Sequence, residues 1–487
     1  MKKKYISIAV LLLLMPLFAG AQALKGSYFM DNAVNRHRMN PAFTPRSNYI
    51  QLPVIGNTSF TYGTNLGVES FLYPKNGELL TFLHQDVSVE EFQKTFPKNP
   101  NLDMEYSFNA LSFGFYTKKK AFWTFDVDMR TNLDMDLPGD FFLFMKKGTG
   151  TEGESFNIGN FNMYSSAAVQ ASIGYSRDIF KGLRVGMKAR AIAPVAYAAL
   201  NLEKVELTTA KDKWNITTEG HAYTAVQGLE LGMDQPNSLP SFAFDDSKFM
   251  GNYAIAGYGY SFDFGFEYKL QLKGLLNGIR LSAAITDLGK IHYSKDAVSA
   301  FKSGGSVDWP GFQNISLDNT DVQTSINALM ENAKNLANLQ EEEVGMDFTR
   351  STMPRVYAGV EVPFLFNRMS VGLLYSARQS HSYLREEITA SYNLKMFKWL
   401  GVGVNCSLLD AKGAAGAIFQ FTPKFGPAFY FGCDYLPLAW AEAPILNDMI
   451  GTSMFEMLGY ENVIIPMTYK LNFNFGMTFA LGSKHGR

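Results

Sequence analysis

The chain is poor in the residues that staple small folds or hold metals. It has two cysteines in 487 residues, Cys406 and Cys433, and six histidines, at 37, 84, 221, 292, 381 and 485. Two cysteines exclude a disulfide-built scaffold, and both read as small apolar fillers of strand-like runs unless they pair in an oxidising compartment. The histidines never fall at ligand spacing, so no metal site and no cofactor is expected. No G-x-S-x-G, H-E-x-x-H or phosphate-cradling glycine-rich loop occurs, and no local set of Ser, His and Asp singles itself out, so no enzyme is expected. A formal charge of −1 without a basic block argues against nucleic acid. Beyond residue 21 there is no run of about 20 apolar residues, so no transmembrane helix is expected.

The one compact apolar run sits at the start. Lys2, Lys3 and Lys4 precede the apolar stretch 6–18, and Ala19-Gly20-Ala21 gives a small-x-small cleavage site. This reads as a secretory signal peptide over 1–21. What the remainder has in abundance is Phe (40), Tyr (24) and Gly (42), a mixture that suits strands, aromatic girdles and tight turns.

Those aromatics alternate. From Met467 to Leu481 the large apolar residues occupy every second position, and Lys470, Asn472 and Asn474 fall between them. Side chains on a strand alternate with period two, so this is one long strand with an oily and a polar face. Soluble strands usually run about 5–6 residues. A longer one with these faces suits a membrane barrel, lipid on one side and a wet lumen on the other. The pattern recurs at 50–62, 106–117, 121–132, 166–177, 183–191, 256–270, 279–287, 354–363, 368–378, 385–395, 399–409, 414–422 and 427–436, which makes fourteen segments. Every even-numbered gap between them is short, as periplasmic turns are, and five odd-numbered gaps are long, as external loops are. The expectation is an all-β, transmembrane antiparallel barrel of about fourteen strands over 50–481, with a short tail at 482–487. Sixteen strands remain open, because 205–209 and 214–218 also read as strands, either of the wall or of an external hairpin. Within the longest loop, 321–343 switches to helical spacing through Val322, Ile326, Leu329, Met330, Ala333 and Leu336, and reads as an amphipathic helix.

The segment 22–49 fits no strand pattern. Placed before the first wall strand and rich in polar and turn residues, it reads as a plug entering the lumen, where irregular backbone is tolerated. Asn40-Pro41-Ala42 within it resembles the NPA element of the long-chain fatty-acid channel barrels, whose Bacteroidota relatives include the shuttle barrels of type IX secretion. Ala284-Ile285-Thr286-Asp287-Leu288-Gly289 resembles the D-L-G element that closes a strand in several of them. The combination is most similar to an uncharacterised Bacteroidota outer-membrane family, a domain of unknown function. The resemblance implies a hatch-plugged barrel in the outer membrane that passes or holds a small hydrophobic molecule.

The inward-facing charges are the candidate site. Asp126, Asp128 and Arg130 lie on one strand, Arg184, Lys188 and Arg190 on another, and Asp263 and Glu267 on a third; the plug adds Arg36, His37, Arg38, Asn40 and Pro41. Two readings stand. Arg184, Lys188 and Arg190 bind an anionic head group, or they tie plug to wall through ion pairs; Arg36, His37 and Arg38 pair with Asp126 and Asp128, or gate a path. The expected surroundings are outer-membrane lipid and a hydrophobic or amphipathic small molecule. The alternative partner is a protein docked on the loops 132–165, 288–353 and 437–466, with 436–440 as an apolar anchor.

Overall fold

The two-faced pattern becomes a wall. In the computed structural model, which describes residues 24–482 apart from 32, 52, 54–55, 68–69, 76–77, 149–154, 158, 209–213, 233–240, 252–253, 272–277, 310–338, 343–347, 382, 410–411, 437–439, 445–461 and 467–469, strands dominate. Short loop strands aside, they are in chain order β1 (Asn48–Gln51), β2 (Thr58–Thr64), β3 (Asn101–Tyr116), β4 (Phe122–Asp136), β5 (Phe161–Phe180), β6 (Leu183–Thr208), β7 (Trp214–Val226), β8 (Gly257–Lys269), β9 (Arg280–Tyr293) and β10 (Val298–Trp309). There follow β11 (Leu339–Glu342), β12 (Phe348–Ser351), β13 (Arg355–Phe364), β14 (Met369–Gln379), β15 (Leu384–Phe397), β16 (Leu400–Leu409), β17 (Lys412–Phe421), β18 (Phe425–Leu436) and β19 (Lys470–Gly482).

All wall pairings are antiparallel, and the ring closes because β19 pairs β18 on one side and both β1 and β2 on the other. β1 with β2 fill one wall position, and β12 with β13, both on β9, fill another. With β7, β10 and β11 set apart, the chain is a closed barrel of fourteen strands. Closure removes the unpaired edge that an open sheet would expose.

The 26-residue β6 explains the count. Its lower part, Leu183–Ile192, pairs β8 in the wall, while Ala196–Thr208 pairs β7, which continues through β10 to β11 as an external sheet. The hairpin around 205–218 is therefore external. The residues that carry the expected helix, 322–336, lie outside the described residues; of 321–343 only Leu339–Glu342 is described, and it is a strand on β10. The expected strand end at Asp287 is also corrected. Asp287 adopts a positive φ of 59° and its amide donates to the Asp263 carboxylate (2.8 Å). This makes a bulge opposite Asp263, after which β9 runs on to Tyr293. Asp is among the few residues that visit this conformation readily. The expected signal peptide, the tail beyond Gly482 and residues 437–439 of the apolar anchor lie outside the described residues.

Burial separates the two faces. On β19, Phe473 is 55% exposed and Phe479 39%, whereas Lys470, Asn472 and Asn474 are buried. On β6, Met187 is exposed while Arg184, Lys188 and Arg190 are buried. Cys406 points outward and neither cysteine is in a disulfide. Above the wall, helices α1 (Val89–Thr95) and α2 (Gly139–Lys147) flank a cluster of Phe82, Phe92 and Phe96 packed against Phe71 and Phe142.

Candidate functional site in the barrel lumen

Residues 24–47 lie against the inward faces of the wall. They make two short 3-10 turns, Lys25–Ser27 and Val34–Arg38, with local backbone bonds such as Ser27 N to Leu24 O (3.0 Å) and Met39 N to Arg36 O (3.0 Å). The lower apolar contact is Tyr28, Phe29, Met39 and Phe43 against Ala284, Tyr357 and Leu374.

Asn40-Pro41-Ala42 sits on a pair of glycines. Gly186 of β6 and Gly265 of β8 are register partners. A Cβ on Gly186 would overlap the Pro41 carbonyl, and one on Gly265 would overlap the Asn40 amide. Only glycine lets another backbone come this close. The Asn40 side chain locks the contact. Its Oδ1 accepts from Ala42 N (2.9 Å), and its Nδ2 donates to Phe266 O (3.0 Å) and Ala283 O (3.4 Å).

Around this seat the expected charges meet. Asp126, fully buried, accepts from Lys188 Nζ (2.9 Å) and Ser112 Oγ (2.6 Å) and faces His37 Nε2 (3.2 Å). The other ring nitrogen of His37 faces the Val34 carbonyl (2.7 Å). Arg38 pairs with Asp128 (2.8 Å), and Asn109 Nδ2 donates to the same carboxylate (2.8 Å). Arg190 pairs with Asp263 and Asp287, and Arg130 with Asp287 (2.9 Å). Arg36 stacks over Phe43 (4.0 Å to the ring centre) and stands 3.7 Å from Glu267. Arg184 is the outlier: at the rim it pairs with Asp178 (3.1 Å) and donates to the Lys120 carbonyl (3.3 Å), away from the N-terminal segment.

Two further groups escaped the sequence reading. Asp31 is held by Arg280, Lys395 (2.6 Å) and Arg36 (3.6 Å). Burial alone would raise its carboxyl, but these three cations outweigh it and hold Asp31 well below the usual carboxylate range. Lys25 reaches Glu387 (2.6 Å), and the Lys25 and Gly26 amides both donate to Asp434 (2.7 and 2.9 Å). Higher in the lumen, Arg355 and Arg378 meet Glu105 (2.7 Å each) and Arg378 lies 3.4 Å from Asp134. Wall parity would have found Arg280, Arg378 and Glu387, which alternate with outward residues. Nothing in the sequence pattern marks Lys25 or Asp31.

The remaining space is small. The larger cavity, about 50 Å³, is bordered by Arg38, Arg130, Asp287, Arg355, Tyr357 and Tyr430, and a second of about 10 Å³ lies by Arg378, Arg385 and Lys470. Such volumes hold a few waters at most.

Residues 41–434 match a protein family described as a family of unknown function, DUF5723. The chain belongs to this family. No curated protein matches it. Among solved structures, it is similar to the Pseudomonas putida toluene transporter TodX at 9% identity and a TM-score of 0.38, over 92% of this chain and 94% of that one. It is also similar to a Pseudomonas aeruginosa FadL homologue at 9% identity and a TM-score of 0.39, over 91% of this chain and 92% of that one. The match to the family begins at Pro41, inside the element seated on Gly186 and Gly265.

Proposed function

We propose that this chain is an outer-membrane barrel, plugged by its N-terminal segment, that passes a small hydrophobic or amphipathic molecule when the plug shifts. Membrane placement is supported by the outward face: Phe262, Phe264, Phe266, Val371, Leu373 and Phe473 are all exposed to the surroundings of a monomer. A soluble protein seldom leaves so continuous an apolar band uncovered, whereas lipid covers it at no cost.

The observation that carries the transport reading is an interruption of the strand ladder beside the plug. Pairing with β19 stops at Gln51, opposite Thr478, and resumes at Thr58, opposite Phe475. On the other side it stops opposite Ser112 of β3 and resumes opposite Phe108. Asn35 of the plug bridges this break. Its Oδ1 accepts from Gln51 Nε2 (2.9 Å), and its Nδ2 donates to Asn57 Oδ1 (3.1 Å) and Tyr430 (2.8 Å). A plug bonded to both margins of an interrupted ladder controls whether lumen and wall exterior communicate.

The small size of the cavities beside the plug favours a second reading, a barrel that docks partner proteins on its external loops. Passage of a small neutral dansylated alkyl amide into lipid vesicles separates the two. Transport predicts measurable entry through the wild-type barrel and several-fold faster entry when Asn35→Ala and Gln51→Ala loosen the bridge. No entry through either form, with the barrel folded, sinks transport and leaves docking.

A further inference from the structure

The lumen charges are not evenly shared between wall and plug. Leaving aside the Arg184–Asp178 pair at the rim, eleven acidic wall side chains face nine basic ones, an excess of two negative charges with all counted as ionised. The plug brings Lys25, Arg36 and Arg38 against Asp31, an excess of two positive charges. Within this set, which leaves out Arg46 of the plug and Asp136 and Arg350 of the wall, the two excesses cancel.

The basic wall residues are not waiting for an anion. Lys188 is held by Asp126, Arg190 by Asp263 and Asp287, and Arg355 by Glu105. A carboxylate reaching any of these three would have to displace a wall carboxylate already buried there. By contrast, each plug cation covers acidic groups: Lys25 covers Glu387, and Arg38 covers Asp128 with Asp126 at 3.7 Å. Moving the plug uncovers acid at Glu387, Asp126 and Asp128 and frees one wall base, Lys395, from Asp31, while Lys188, Arg190 and Arg355 stay paired within the wall.

We infer that the plug is the counter-charge of an acidic lumen, and that the opened barrel favours cationic and neutral amphiphiles over carboxylates. The inference rests on the transport reading and names the solute class within it. Acidic side chains in a low-dielectric channel concentrate cations and repel anions, and rings of Asp and Glu act this way in cation-selective pores. Occupancy by one species excludes the other: a basic head group takes the place of Arg38 or Lys25, so solute and plug compete for the same carboxylates.

The test is ion selectivity of the full chain in a planar bilayer across a potassium chloride gradient. The variant carries Lys25→Gln, Arg36→Gln and Arg38→Gln. It is expected to conduct more than the wild type, with a reversal potential displaced toward the potassium value. Adding Asp126→Asn and Glu387→Gln is expected to shrink that displacement. Should the triple variant fail to fold, wild-type openings driven by high applied voltage are read in the same gradient, with the same expected sign. A conducting barrel that prefers chloride, or shows no preference, overturns the charge assignment and leaves transport standing. A folded triple variant as closed as the wild type overturns the role of the plug charges. Silence in every form, together with no amide entry into vesicles, sinks transport itself and this inference with it.

Discussion

The N-terminal segment meets the wall in two different ways, on glycines and on charges. At the seat, the Pro41-Ala42 backbone lies on Gly186 and the Asn40 side chain on Gly265, and fit depends on the absence of a side chain at both glycines. In the surrounding lattice, Asp126, Asp128, Glu387 and Asp31 are shared among several partners each. Shape is specific but short-ranged, so the seat decides where the segment sits. Charge tolerates rearrangement among partners, so the lattice decides how firmly it is held and what takes its place. A buried ion pair is weak evidence of net stability, because desolvation offsets attraction; removing one member is another matter.

Three perturbations set these modes against each other. The largest effect is expected from Asp126→Asn, which keeps the size but turns one acceptor oxygen into a donor and leaves Lys188 and Arg38 without their shared carboxylate. A loss of about 3–5 kcal/mol is expected, read as earlier unfolding of the purified barrel on heating. Gly186→Ala comes next, at about 1–3 kcal/mol, since the added methyl meets backbone that cannot rotate away. Gly413→Ala, with open space around it, is the matched control and is expected to stay within about 0.5 kcal/mol. If Gly186→Ala is as silent as the control, the seat is not a seat.

The smallest effect is the acid response of Asp31. Its carboxyl is depressed in the folded protein, so the stability it contributes is complete above its ordinary value of 3.8 and is lost as the pH falls below that. Acid titration from pH 6 to pH 3 is expected to destabilise the wild type more than Asp31→Asn, with the gap opening below about pH 4. Equal curves would remove Asp31 from the lattice.

The fold was legible because lipid and lumen impose a strict period of two. All fourteen wall positions fall on segments readable from Phe, Tyr and Leu alternation, and parity alone sends Lys188, Arg190, Asp126 and Asp263 inward. Partnership was less legible. Arg184 has the same parity as Lys188 but sits one residue from its turn, where depth gives it a rim partner. Asp287 read as the last residue of a strand because the alternation stops there and D-L-G resembles a strand-closing element, yet its positive φ belongs to a bulge whose amide the Asp263 carboxylate caps, and the ladder resumes. The glycine pair was hidden for another reason: Gly186 and Gly265 are 79 positions apart and meet only through β6–β8 register.

Hydrogen exchange of residues 24–47 in the purified, detergent-solubilised protein tests the central claim most directly. A plug held by the glycine seat and the charge lattice predicts amide protection over 24–31 and 39–43 comparable to that of β6, with the Lys25 and Gly26 amides slow because Asp434 holds them. Exchange of the whole segment at the rate of an unfolded chain, in a barrel whose β6 stays protected, would contradict it.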